Sequence, residues 1–302
     1  MRRALAPILP ILAFALAAAA PAIHAKDGKR IFISVDMEGI GGVVTDEQLG
    51  VKGFEYATFR ELMTEEANAA IAAAREAGAT EFVVADSHGS FQNLLVTKMP
   101  ADVQLVRGTP RPYGMMQGLD ATFDGVVFVG YHSSTTNPEG VRAHTFSSAR
   151  LADVKLNGTS VTEGAWNAAY AAHFGVPVLA ISGDEAAVKE VQSLVPGAEG
   201  AVVKWPYGFH AARTLSPEAS RQAIRDAVKR GLAKRAQIAV AKPKTPVEVE
   251  LRFKNYRPTE VLAWLPLFKR TDSHTVLYTA ADMAEAYRIM EFIGTYEFGL
   301  EP

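Results

Sequence analysis

The chain has 302 residues, 48% of them hydrophobic and 21% charged, with a formal net charge of −2. This is ordinary globular composition with material for one large domain or two smaller ones, and it excludes the basic field of a nucleic-acid-binding surface. There is no cysteine, so a disulfide framework, thiolate catalysis and Cys-ligated zinc are excluded, and any metal site must use His and carboxylates.

The N-terminus opens with Arg2 and Arg3, an Ala-rich apolar stretch from Leu5 to Ala20, and then Pro21 to Ala25 before the charged Lys26-Asp27. Residues 1–25 read as a secretory signal peptide, cleaved after Ala22 or after Ala25. The apolar stretch is short for a membrane span. No later segment suits one, so a periplasmic or secreted protein without a membrane anchor is expected. Ile31 to Val35 is then predicted as a buried strand. Phe59, Leu62, Met63, Ala70, Ile71 and Ala74 fall at helical spacing, and Gly78 stops that helix. Buried strands follow at Phe82 to Ala85, Val103 to Val106 and Val126 to Val129. Apolar runs separated by helices predict an α/β fold, a mostly parallel sheet flanked by helices.

The pattern then changes. Ala149 to Leu156 and Val161 flank Asn157-Gly158, a hairpin signal. Thr162 is a candidate N-cap for a helix ending at Gly175, with Glu163 in its first turn. A strand is expected at Val178 to Ile181, a helical stretch after Gly183 and a short strand at Ala201 to Val203. Ser216-Pro217 opens a further helix, running to about Lys234. Beyond the linker-like Lys242 to Pro246, Val247, Val249, Leu251 and Phe253 alternate with charged residues, the mark of a half-solvated antiparallel strand. Helices near Pro258 to Leu265 and Ala281 to Ile293, with a strand at Thr275 to Tyr278, complete a smaller C-terminal α+β unit. The expected division is a metal-binding catalytic domain over 26–190 and the smaller domain over 191–302.

Three of the strands end alike. The first runs into Asp36 and Glu38 of "VDMEG", the second into Asp86 and His88 of "ADSH", and the third into His132 of "VGYH". Residues two apart in extended chain face one side, and open parallel sheets bind ligands beyond their strand carboxyl ends. Imidazole mixed with carboxylate suits Zn, Mn, Fe or Co. A pair of such ions can activate water for hydrolysis. On spacing alone, His144 of "RAHTFSS" fits a solvated loop better than an acid/base group, and Glu163 fits the helix dipole as well as a ligand role. The aromatic run Trp205 to His210 reads as packing or as a pocket wall. Ser87, Ser133 and Ser134 lack the G-x-S-x-G setting of a serine nucleophile.

These stretches, with "LMTEEANAAI", "MMQGLD", "TEGAWNAA" and "VPVLAISGD", occur in an order that resembles the D-aminopeptidases of the DppA type, which are binuclear zinc peptidases. The resemblance implies that Asp36, Glu38, His88, His132 and Glu163 bind two zinc ions, with Asp36 bridging, and that His144 is the catalytic histidine. It implies a short peptide substrate with an N-terminal D-residue of the D-Ala type, whose amino group and scissile carbonyl approach the metals. It also implies assembly into a ring homo-oligomer, such as a decamer. Asp86 is not carried over as a ligand and is expected to orient one or to hold the turn. Ala85 and the segment Trp205 to His210 depart from the family pattern, and an export signal is foreign to its cytosolic type. The same ligands would also serve another two-metal hydrolase, an amidase or a phosphoesterase. A non-catalytic periplasmic binding protein would need no such cluster.

Overall fold

The computed structural model describes residues 28–296. The signal peptide expected at 1–25 lies outside the described residues. In chain order the elements begin with β1 (Lys29–Val35), the short helix α1 (Asp46–Leu49), α2 (Tyr56–Glu76), β2 (Ala79–Asp86), β3 (Val103–Val106) and β4 (Gly125–Tyr131). The hairpin strands β5 (Leu151–Leu156) and β6 (Thr159–Ser160) follow, then α3 (Glu163–His173), β7 (Val178–Asp184), α4 (Glu185–Leu194), β8 (Glu199–Gly208) and β9 (Ala211–Thr214). The chain ends with α5 (Pro217–Ala233), β10 (Val247–Phe253), α6 (Arg257–Leu262), β11 (Lys269–Arg270), β12 (Thr275–Ala280) and α7 (Met283–Tyr296).

Seven strands form one sheet in the order β3-β2-β1-β4-β7-β8-β9. All its pairs are parallel except the last, β8 with β9. The alternation of side chains along β1 feeds two cores. Ile31, Ile33 and Val35 face α2 and α5, meeting Met63, Ala70, Ile71, Ile224 and Val228. Phe32 faces the other way, toward Trp166 and Tyr170 of α3 and Tyr287 of α7. Burial on both faces is why these strands read as unbroken apolar runs. The helix starts follow local chemistry. The Asp184 side chain caps α4 by accepting from the Ala187 amide (2.7 Å), and Ser216 does the same for α5 at Ala219 (3.3 Å).

A second sheet has the order β11-β12-β10-β5-β6 and is antiparallel. Its inner residues Leu251, Phe253, Val276 and Tyr278 join the core beneath α3 and α7. The chain does not divide between the sheets at residue 190. β5 and β6 precede it yet pair with β10, and β8, β9 and α5 follow it yet build on the large sheet. Among the described residues, no helix is long and apolar enough to cross a membrane.

β1 has β2 and β3 on one side and β4 and β7 on the other. The strand order therefore reverses between β1 and β4, and the crevice at their carboxyl ends is where an open α/β sheet accepts a ligand. Asp36, Glu38 and His132 stand at that point.

Candidate metal centre

The turn after β1 is folded tightly onto β4. The Asp36 amide donates to Val129 O (2.8 Å), and the Gly39 amide to Gly130 O (2.7 Å). A Cβ at Gly39 would overlap the Tyr131 carbonyl oxygen, and one at Gly130, where φ is +73°, would overlap the Asp36 carbonyl. Glycine at both positions lets the two turns cross at backbone contact. This crossing brings the Asp36 and Glu38 side chains to His132.

A buried cation holds the far side of this turn. Lys204 of β8 is 0% exposed, and its ammonium donates to the carbonyls of Glu38, Ile40 (3.2 Å) and Val43 (2.7 Å). Three donors meet three acceptors, so the charge is buried with its hydrogen bonds complete. Burial lowers its pKa to about 8 even with Asp184 and Glu66 nearby. Glu66 of α2 accepts from the Gly41 amide (3.0 Å). Nothing in the family motifs marked Lys204, yet a lysine inside the apolar run "AVVKW" is itself a signal, because lysine is almost never fully buried without a purpose.

His88 sits on the loop after β2. Asp86 shapes that loop and does not join the cluster: its carboxylate accepts from the amides of Asn93 and Leu94 (both 2.6 Å) and from the Asn93 side chain (2.9 Å). Asn93 in turn donates to His88 O (2.6 Å). Glu163 arrives from the first turn of α3, whose cap Thr162 accepts from the Ala165 amide (2.8 Å). The Phe146 amide fixes Glu163 Oε1 (2.6 Å). His144 lies between two non-glycine residues with positive φ, Arg142 (+56°) and Phe146 (+61°). Such backbone persists only where surrounding contacts impose it, and it collects at functional sites. Arg142 is held by Asp46 and by the His210 ring (3.4 Å), so the β8–β9 turn braces the His144 loop. The run Trp205 to His210 thus acts behind the cluster, and none of its residues lines the cavity at the cluster.

The structure brings all six predicted residues together: Asp36, Glu38 and His88 form one group, and His132, His144 and Glu163 a second, with the ligand atoms of each group within 4.8 Å of one another. His88 Nδ1 is 2.8 Å from Glu38 Oε2 and 3.6 Å from Asp36 Oδ1. His132 Nε2 is 3.3 Å from Asp36 Oδ2 and 3.4 Å from Glu163 Oε2. His144 Nε2 is 3.7 Å from Glu163 Oε1 and 3.9 Å from Glu38 Oε1, and its ring stacks on His132 with centroids 3.9 Å apart. Asp36 therefore lies between the two groups, touching a histidine of each.

The three imidazoles share one arrangement. His88 donates from Nε2 to Leu49 O (2.9 Å), His132 from Nδ1 to Ser133 O (3.1 Å), and His144 from Nδ1 to Arg142 O (2.7 Å). In the neutral form that binds metal, each ring would carry its N–H outward and aim its lone pair at carboxylate oxygens. Lone pair facing lone pair is repulsive unless a cation lies between. Asp36 Oδ2 and His132 Nε2 are buried and without a hydrogen bond among the described residues. These are the features of a site built for metal, and the donor set of imidazole and carboxylate suits zinc.

Electrostatics point the same way. Burial and then the neighbouring Glu38 push Asp36 up to about 6. Burial opposes charge on His88 and His132, but Glu38 and Asp36 beside the first and Glu163 and Asp36 beside the second outweigh it and raise both well above the usual histidine range. Burial and the adjoining His132 lower His144, leaving it the neutral member of the set. Without metal, protons must do the neutralising that a divalent ion does better.

The cluster floors a cavity of about 400 Å³, within the range of small-ligand sites. Phe146, Leu151 of β5, Phe253 of β10, and Met290 and Ile293 of α7 form apolar walls. Under them runs a buried chain of hydroxyls and amide: Ser87 to Ser34 (2.7 Å), Ser34 to Tyr131 (2.7 Å), Asn167 to Tyr131 (2.9 Å) and Tyr287 to Asn167 (2.7 Å). Asn167, which the sequence left without a role, ties α3 to β4 and α7.

A family model described as D-aminopeptidase matches residues 29–292. The D-aminopeptidase of Bacillus subtilis is 35% identical over 265 residues, covering 86% of this chain and 95% of that protein. The solved structure of the Zn-dependent D-aminopeptidase DppA from Bacillus subtilis, described as a self-compartmentalizing protease, superposes with a TM-score of 0.84 at 34% identity, covering 88% of this chain and 96% of that one.

Proposed function

This chain belongs to the D-aminopeptidase family, and from that membership and the geometry of the cluster we propose that it is an exported zinc aminopeptidase that releases N-terminal D-residues from short peptides. The observation that carries the metal reading is the shared orientation of His88, His132 and His144, each anchored on a backbone carbonyl and aimed at carboxylates. In this reading Asp36, Glu38, His88, His132 and Glu163 would hold two zinc ions. Bound there, zinc supplies Lewis-acid polarisation and lowers the pKa of water.

The chain's own groups do the rest. His144 keeps its Nδ1 proton on the Arg142 carbonyl, so Nε2 is the atom free to take up a proton and pass it to the leaving amine. The Phe146 amide holds Glu163 in place while this happens. Apolar walls from Phe146, Leu151, Phe253 and Met290 exclude bulk water and give the stereochemical preference its surface. The N-terminal segment supports export. The self-compartmentalizing character of the Bacillus subtilis relative supports a homo-oligomer, a ring of ten chains in the finer form of the proposal. Exposed Phe54 and Trp264, 81% and 78% accessible, offer apolar surface for such contacts.

Elemental analysis of the purified protein tests the metal reading. Two zinc ions per chain are expected, with peptidase activity lost on chelation and regained on adding zinc. Fewer than one ion per chain in an active protein, unaffected by chelation, would contradict it.

A further inference from the structure

The cavity that holds the cluster has another carboxylate in its wall: α7 presents Glu291 as a lining residue. Among the described residues its carboxylate makes no hydrogen bond and no ion pair, although the cation of Arg111 and the carboxylate of Glu163 are near enough to act on it electrostatically. Arg111 is held mainly by other groups: its Nε donates to Gly114 O (2.6 Å), its Nη2 to Asp86 O (2.5 Å), and its guanidinium stacks over Phe91 (4.0 Å), while its buried Nη1 makes no hydrogen bond to Glu291 or to any other described residue. The facing turn is cut away for the carboxylate. Gly114 has φ +34°, and a Cβ there would overlap Glu291 Oε1. A half-buried anion with room made for it and no partner is a costly feature unless a cation arrives.

The cluster is where a scissile carbonyl must lie. In one amino-acid residue the nitrogen and the carbonyl carbon are about 2.5 Å apart, from standard bond lengths and the N–Cα–C angle. A carboxylate in the wall of the cluster's own cavity, close enough to act on Glu163 electrostatically, suits a substrate that puts its terminal charge one residue from the bond it loses.

Resting on the aminopeptidase reading, we propose that the subsite for the substrate's N-terminal ammonium group is Glu291, and not the metal pair to which the family resemblance assigns that group, so that α7 restricts cleavage to the first residue of a peptide. Burial pushes the Glu291 carboxyl up to about 7 by disfavouring its charged form, and an ammonium group beside it would reverse that shift. Gln at this position keeps the shape and removes the charge.

The test compares the zinc-loaded protein with its Glu291→Gln variant, the two checked for equal zinc content and melting temperature. For D-alanyl-D-alanine, KM is expected to rise at least tenfold in the variant while kcat stays within threefold. Calorimetric titration supplies a readout apart from turnover, using D-alanine and D-lactate, which differ only by ammonium against hydroxyl. The parent protein is expected to bind D-alanine at least tenfold more tightly, and the variant to lose that preference. If the parent prefers D-alanine and the variant keeps the same preference, the Glu291 subsite is wrong and the aminopeptidase reading stands. If the parent neither hydrolyses the dipeptide nor binds D-alanine, the aminopeptidase reading falls and the subsite with it.

Discussion

Asp36→Asn is expected to cost the protein its zinc and at least about a thousandfold of its peptidase rate. Asp36 faces a histidine of each group at close range, 3.6 Å from His88 and 3.3 Å from His132, whereas Glu38 reaches the second group only at 3.9 Å, at His144. An amide there offers no anionic oxygen to share between two ions. Lewis-acid stabilisation is worth several kcal/mol, and about 4 kcal/mol corresponds to about a thousandfold in rate. The loss will not come from unfolding. Burial and Glu38 raise Asp36 to about 6 in the metal-free fold. A raised carboxyl stabilises the fold only while protonated, and that contribution is lost as pH rises through the folded pKa. At pH 7 the ionised Asp36 therefore strains the metal-free fold, and the chelated variant should melt no lower than the chelated parent. Zinc retained at parental levels in the variant would contradict the proposed ligand role of Asp36.

His144→Ala is expected to behave differently, with kcat falling by about a hundredfold to ten-thousandfold, the usual contribution of a positioned acid/base group, and with zinc content unchanged. His144 Nε2 stands farther from the carboxylates, at 3.7 and 3.9 Å, than His88 Nδ1 does from Glu38, at 2.8 Å. Its strained loop, with Arg142 and Phe146 on either side at positive φ, holds the ring on His132 and leaves Nε2 toward the cavity. Elemental analysis beside steady-state kinetics separates the two variants. Full activity, or loss of metal in step with activity, would remove His144 from the acid/base role.

The strand ends were legible because burial writes itself into sequence. Val35, Ala85 and Val129 close apolar runs, interrupted only by Ser34 in the first, and the ionisable residues just beyond them have no local reason to be there. Periodicity likewise gave α2, α5 and α7 within a few residues. Spacing alone undervalued Glu163 and His144. Their place depends on α3 pointing its first turn at strands more than thirty residues earlier, and only the family motifs carried that information. The pairing of β5 with β10 was hidden for a related reason: Val154 and Leu251 are neighbours across a ladder but far apart in the chain. That pairing is why residue 190 marks no boundary between the sheets. Glu291 was unreadable, because a glutamate on an amphipathic helix normally faces solvent, and only the fold turns it into the cavity.

The substrate claim rests on stereochemistry, and one comparison addresses it directly: kcat/KM of the zinc-loaded protein for D-alanyl-D-alanine against L-alanyl-L-alanine. The account predicts that the D-dipeptide is hydrolysed and strongly preferred. Preferential cleavage of the L-dipeptide, or hydrolysis of neither by protein with both metal positions filled, would contradict it.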